Sequence, residues 1–224
     1  MTSVPENTSV ESVERDGVVA DIHRPASIPR ATVVLAHGAG GNRHAVILRA
    51  LAEALSARAF TVARIDLPYR RRRPKGPPSP STAAADRDGI RAACAMFRDE
   101  SGGPLIVGGH SYGGRQASMA VAEDGADLAD GLLLTSYPLH PPGKPDRLRT
   151  EHLSSIAVPT LVVHGSTDPF GTTDEMAAAI GLIPAPTLIV EVEKTGHNLD
   201  PNKKPTVLLT VDAVDDFLLK EICR

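Results

Sequence analysis

Six short apolar runs constrain this chain more than any other feature. They lie at residues 32–37, 60–66, 105–110, 131–137, 160–164 and 188–192. None alternates cleanly between apolar and polar residues, which is the pattern of strands covered on both faces. Segments with helical spacing fall between them. Residues 45–57 carry Val46, Leu48, Leu51, Ala52 and Leu55, and residues 81–98 carry Ile90, Ala93, Cys94 and Phe97. Shorter helical patterns occupy 115–122 and 175–180, and a longer one 207–222. Strand and helix in alternation imply an α/β fold: a mostly parallel twisted sheet with helices on both faces. Residues 10–14 and 18–23 flank Arg15-Asp16-Gly17 and read as an antiparallel pair at a sheet edge, bringing the sheet to about eight strands. The 224 residues suffice for one sizeable domain and are tight for two. Residues 1–17 are taken as a polar N-terminal tail and 18–224 as the single domain.

Composition removes several function classes. With 42% hydrophobic and 23% charged residues the chain is neither disordered nor collagenous nor a coiled coil. A net charge of −3 and an aromatic content of 3%, without Trp, argue against a nucleic-acid partner, whose phosphates attract basic surfaces and whose bases stack on aromatic rings. No apolar run approaches the ~20 residues of a membrane span, and the N-terminus lacks the apolar core of a secretory signal. No membrane partner is expected. Two cysteines, Cys94 and Cys223, make no disulfide framework and fit a reducing, cytoplasmic compartment. The acceptor pattern Asn7-Thr8-Ser9 is then a chance match. The eight histidines show no metal-ligand spacing, so neither a metal nor a cofactor is expected, and the oligomeric state is left open.

In open α/β sheets ligands bind at the carboxyl ends of the strands, so the residues there decide the chemistry. Gly109-His110-Ser111-Tyr112-Gly113 follows the third apolar run and precedes a helical segment. This is the G-x-S-x-G pattern in its strand–turn–helix context, where the glycines let strand and helix approach and the turn exposes the serine. A serine hydroxyl is a weak nucleophile and needs a base. His197 lies in the loop after the last run, and Asp168, after the penultimate one, can orient it. The chain order Ser111, Asp168, His197 is one of the known orders for such a set. His37-Gly38-Ala39-Gly40-Gly41 follows the first run, and its small residues leave backbone N–H groups free to meet a developing oxyanion. Ala39 and Tyr112 are the expected donors, with Gly40 as the alternate. A dinucleotide loop fails here because its third glycine would fall on Arg43, and no Gly-Lys-Ser/Thr follows for a Walker loop.

Other residues compete for roles. His110 adjoins Ser111, but neighbouring side chains at a tight turn point apart. Asp66 reads as a turn carboxylate, Asp200 follows His197 too closely to orient it, and His164 reads as a packed residue. Residues 70–75, four arginines followed by Pro74 and Lys75, read as a solvated basic loop, with an anion-docking patch as the alternative. Gly38, Tyr69, His110 and Tyr137 are the candidates for lining a substrate pocket. Between Tyr137 and Val158 there is too little chain for a cap domain: an extended proline-rich part, then one short helix over 146–156. An open, lidless site with a mainly aliphatic acyl pocket is the expectation.

These residues resemble the α/β-hydrolase superfamily over residues 18–222. Within it the chain is most similar to the small KANSL3/Tex30-like proteins, with dienelactone-hydrolase-like proteins as wider relatives. The closer likeness rests on Ala36-His37-Gly38-Ala39-Gly40, Leu67-Pro68-Tyr69-Arg70-Arg71, Asp168-Pro169-Phe170-Gly171, Arg149-Thr150-Glu151-His152-Leu153 and the segment 137–145. The turn carries His110-Ser111-Tyr112 where that subfamily often has Lys-Ser-Met. Dienelactone hydrolases use a cysteine where Ser111 stands, so their reaction does not carry over. The resemblance implies a serine hydrolase acting on a small-molecule acyl substrate, an ester or thioester, through an acyl-enzyme on Ser111. An amide-cleaving enzyme and a non-catalytic binding or scaffold protein of the same fold stay open as alternatives.

Overall fold

A computed structural model describes residues 9–101 and 103–224. The Asn7-Thr8 positions of the acceptor pattern and the first eight residues of the expected tail lie outside them. The strands are β1 (Ser9–Arg15), β2 (Val18–Arg24), β3 (Ala31–Ala36), β4 (Phe60–Ile65), β5 (Leu105–His110), β6 (Gly131–Thr135), β7 (Thr160–Gly165) and β8 (Thr187–Val192). The helices are α1 (Val46–Ser56), α2 (Pro68–Arg72), α3 (Ala83–Ser101), α4 (Tyr112–Asp124), α5 (Thr173–Ile180), α6 (Thr206–Ala213) and α7 (Leu219–Ile222).

The eight strands form one sheet in the order β1-β2-β4-β3-β5-β6-β7-β8. The first hairpin joins it antiparallel, and β4, β3 and β5 through β8 run parallel. This is the α/β-hydrolase fold.

The unbroken apolar runs are explained by a core on each face of the sheet. Val34 and Ala36 of β3 point into one core with Ile90, Phe97, Ala117 and Met176, contributed by α3, α4 and α5. Val33 and Leu35 point into the other with Leu48, Leu51, Leu55 and Val214, from α1 and the C-terminal helix. Every residue of β3 and β4 is buried, so neither strand keeps a polar face.

Three elements differ from the sequence expectation. Pro68, suited to a first helical position, starts the short helix α2 inside what reads as a basic loop. Residues 146–156 hold turns with a single 3₁₀ turn at Leu153–Ser155 instead of a helix. Arg149 explains this: its N–H donates to Leu139 O (2.8 Å) and its carbonyl accepts the Tyr137 hydroxyl (2.6 Å). Tertiary bonds thereby take the backbone groups that a helix would need. The C-terminal helix passes from α6 to α7 through a π-helical stretch, Val214–Leu218. Among the described residues no helix is long and apolar enough to cross a membrane.

Candidate active site

Chain direction across the sheet reverses between β3 and β5, and the loops leaving these neighbours at their carboxyl ends diverge to open a crevice. Ser111 stands at the end of β5 as the residue capping α4, with φ 53° and ψ −116°. A non-glycine residue in this region is strained, and such strain persists only where the surroundings over-determine it. Here the Ser111 N–H donates to Thr135 O (2.9 Å), and its carbonyl accepts from Arg115 N (2.9 Å). A methyl group at Gly109 or Gly113 would overlap the Ala36 carbonyl oxygen, so both positions require glycine for β3, β5 and α4 to meet.

The structure brings Ser111, His197 and Asp168 together. His197 Nε2 lies 2.7 Å from Ser111 Oγ, and His197 Nδ1 lies 2.8 and 3.0 Å from the Asp168 carboxylate oxygens. A carboxylate only accepts, so Nδ1 carries the proton and Nε2 is free to accept from the serine hydroxyl. The side chain of Asp168 is fully enclosed. Burial pushes its carboxyl up, but hydrogen bonds from His197 and from the Phe170 N–H (2.9 Å) outweigh this and hold it below its ordinary value. Thr167 N donates to Thr195 O (3.0 Å), tying the loops after β7 and β8 and so the positions of Asp168 and His197. The Phe170 ring packs on the His197 imidazole with centroids 4.2 Å apart.

Tyr112 opens α4, where the first N–H groups have no intrahelical acceptor. Across the crevice, the loop after β3 is fastened through its carbonyls. Gly38 O accepts from His37 Nδ1 (2.9 Å), Gly41 N (3.0 Å) and the Tyr69 hydroxyl (3.2 Å). Since a trans peptide directs its C=O and N–H oppositely, these bonds turn the Ala39 N–H to the other side of the loop. Ala39 O accepts from the Tyr69 hydroxyl (2.8 Å) and Arg70 Nη2 (3.0 Å), which fixes the Gly40 N–H in the same way. Burial pushes the Tyr69 hydroxyl up to about 12, keeping it a donor. His37 accepts from Leu67 N at Nε2 (3.2 Å), and its burial lowers its pKa, so it is a neutral strut. Asp66 holds the Arg43 backbone N–H (2.7 Å), the turn role expected of it.

A cavity of about 480 Å³ opens beside Ser111, within the range of small-ligand sites. Ala39 and Tyr112 line it near Ser111, together with Pro77, Pro78, Ser79, Pro80 and Ala83 and with Arg115, Gln116, Pro138, Arg149 and Phe170. His197 is not among these residues. It faces a second cleft of about 360 Å³ with Pro169, Thr195 and Asn198.

The four pocket-lining candidates from the sequence are not on the cavity walls. Tyr69 and Tyr137 are buried, with their hydroxyls spent on Ala39 O and Arg149 O. Gly38 lies against the His110 and Ser111 side chains, and His110, with Thr135 Oγ1 at 3.3 Å and its ring centroid 5.5 Å from that of His197, lines a separate cleft of about 430 Å³ with Asn198 and Asp200. Enclosure lowers His110 to about 4, so it is neutral at pH 7. His164 is buried against Gly171 O (2.8 Å). The cavity's apolar lining comes from four prolines, two alanines, Tyr112 and Phe170, and Arg115, Gln116 and Arg149 add polar groups that the expected aliphatic pocket did not include. The basic loop is corrected at one position: Arg70 is buried, donating to Gly41 O (2.6 Å), Ala39 O, Arg73 O and Gly76 O (both 3.1 Å).

Sequence reasoning missed Arg115, Gln116, Arg149 and Phe170. Arg115 had a signal, since it stands one helical turn after Ser111 on a helix whose side chains lean toward its N-terminus. Arg149 had none, because only a tertiary contact brings it to the site.

A family model described as an alpha/beta hydrolase domain matches residues 29–213. Solved structures share the fold at low identity. Est1E from Butyrivibrio proteoclasticus is 17% identical with a TM-score of 0.72, over 96% of this chain and 99% of that one. Dienelactone hydrolase from Anabaena variabilis is 17% identical with a TM-score of 0.70, over 95% and 97%. XC6422 from Xanthomonas campestris, described as an α/β serine hydrolase without a lid, is 19% identical with a TM-score of 0.69, over 97% and 98%.

Proposed function

From the premise that the chain belongs to the alpha/beta hydrolase family, we propose that it is a serine hydrolase that cleaves a small carboxylic ester or thioester through an acyl-enzyme on Ser111. One observation carries this reading: the unbroken hydrogen-bonded line from Asp168 through His197 to Ser111 Oγ.

In the reaction, His197 Nε2 takes the hydroxyl proton as Ser111 Oγ bonds to the substrate carbonyl carbon. Negative charge gathers on the carbonyl oxygen, which the Ala39 and Tyr112 N–H groups receive. Two such preset donors lower the barrier because they need no reorganisation when charge appears. The bond to the leaving group then breaks, and His197 passes its proton to that group. Asp168 stabilises the imidazolium between these steps. Water, giving a proton to the same Nε2, attacks the acyl-enzyme and releases the acid and the free serine.

The leaving group takes its proton from His197 and so departs on the side of that ring. The acyl part then occupies the cavity lined by Ser111, Ala39 and Tyr112, which His197 does not line. Two free thiols, Cys94 buried and Cys223 exposed, support a cytoplasmic location for this activity. The segments quoted above support the finer likeness to the KANSL3/Tex30-like subfamily.

A fluorophosphonate probe tests the reading. Wild-type protein is expected to be labelled, and Ser111→Ala is not. A folded wild type that neither takes the label nor hydrolyses p-nitrophenyl acetate would falsify it and favour the binding-protein alternative.

A further inference from the structure

We propose that Arg115, Arg149 and Gln116, the polar residues lining the cavity beyond the two serines, form an anion subsite, and that the natural acyl group ends in a carboxylate. The inference rests on the serine-hydrolase reading and names the substrate class of that site.

Three observations converge. First, no aspartate or glutamate is among the cavity walls. Arg87 and Arg91 on the neighbouring α3 pair with Glu123 and Asp124, yet among the described residues neither Arg115 nor Arg149 lies within salt-bridge distance of a carboxylate. Second, hydrogen-bond donors are left over. Arg115 Nε and Gln116 Nε2 are buried without partners, although Gln116 Oε1 is engaged by Arg87 (3.3 Å). Arg149 donates from Nη1 to Pro138 O (3.0 Å), which anchors its guanidinium at the wall without neutralising it. Third, the two cations oppose each other. Burial and the nearby charge of Arg115 lower Arg149, and exposed Glu151 offsets this only in part.

Partly desolvated cations set side by side without a counter-ion are unfavourable in the empty protein. A carboxylate between them reverses the sign of each term: it pairs with both guanidiniums, and its lone pairs accept from Arg115 Nε and Gln116 Nε2. The length of the acyl chain follows from the helix. Arg115 stands four residues past Ser111, about 6 Å along α4, and its side chain leans back toward the N-terminus. A spacer of a few methylenes spans that distance, as in a monoester or monothioester of a short dicarboxylic acid.

The test compares p-nitrophenyl hemi-esters of glutaric and adipic acid with the neutral p-nitrophenyl pentanoate and hexanoate, subtracting spontaneous hydrolysis. Wild-type protein is expected to favour the hemi-ester by roughly 10–100-fold in kcat/KM, a preference that shrinks with added salt. Arg115→Met and Arg149→Met are each expected to bring the hemi-ester to neutral-ester ratio down at least about tenfold, mainly through KM. Neutral esters hydrolysed at least as well as hemi-esters by the wild type, with fluorophosphonate labelling intact, overturn the subsite alone. Absence of both turnover and labelling overturns the serine-hydrolase reading and the subsite with it. The wild-type comparison decides the matter even if a variant fails to fold.

Discussion

The two sides of Ser111 treat their arginines in opposite ways. On the β3 side, Arg70 is buried and spends its guanidinium on four backbone carbonyls of residues 39, 41, 73 and 76. On the α4 side, Arg115 and Arg149 line the cavity without a carboxylate partner, and Arg115 Nε has no partner at all. The same side chain serves as a strut in one place and is left unpaired in the other. A satisfied buried network fixes geometry before the reaction begins, whereas an unsatisfied one is stabilised only when something binds. Under the proposed function, the loop after β3 would position the transition state and the α4 side would choose the substrate.

The largest expected effect removes the proposed nucleophile, which both sides share. Ser111→Ala is expected to lower kcat by ~10⁴–10⁶ on any ester while leaving the fold intact, measured by steady-state turnover and circular dichroism. Next, Arg70→Met strips four carbonyls of their donor. A loss of about 2–4 kcal/mol in denaturant unfolding is expected, together with a fall in kcat as the Gly40 N–H loses its fixed direction and the loop after β3 loosens. An Arg70→Met protein as stable and active as wild type would break the comparison.

Tyr69→Phe sharpens it by removing one hydroxyl that serves Gly38 O and Ala39 O. About a tenfold drop in kcat with little change in KM is expected from single-substrate kinetics, since Tyr69 is buried and does not line the cavity. On the α4 side the sign of the stability effect reverses. Arg115→Met is expected to raise unfolding free energy by about 1 kcal/mol, because an unpaired, partly buried charge is replaced by an apolar chain of similar reach.

The smallest effect concerns pH. Burial lowers His110 and His152 to about 4 in the folded protein, against an ordinary 6.5. Between these values the unfolded chain binds protons that the folded one refuses, so stability falls as pH drops from about 6.5 toward 4 and is unaffected above pH 7. A fall in melting temperature is expected as pH is lowered across that window. A melting temperature that stays flat over it would show that these imidazoles titrate normally.

Much of this was legible in the sequence where the constraint is local. Unbroken apolar runs at 32–37 and 60–66 reported strands buried on both faces, and each became a central strand, Ala31–Ala36 and Phe60–Ile65. Glycines around Ser111 reported a turn that tolerates no side chain, and the structure supplies the reason in the Ala36 carbonyl. The helix expected over 146–156 went astray because Arg149 gives its backbone groups to Tyr137 and Leu139, partners that propensity cannot register.

The sequence by itself determined the fold class and the strand ends on which Ser111, Asp168 and His197 stand. Periodicity and glycine placement act over a few residues and need no knowledge of distant neighbours. Only the tertiary structure decided which arginines matter. Arg70 and Arg72 differ by two positions in one basic run, yet Arg70 is buried and Arg72 exposed. Arg115 and Arg149 meet at the cavity because a helix and a turn from separate parts of the chain pack around it. Charge is written in the sequence, but its pairing and its distance from water are properties of the packed molecule.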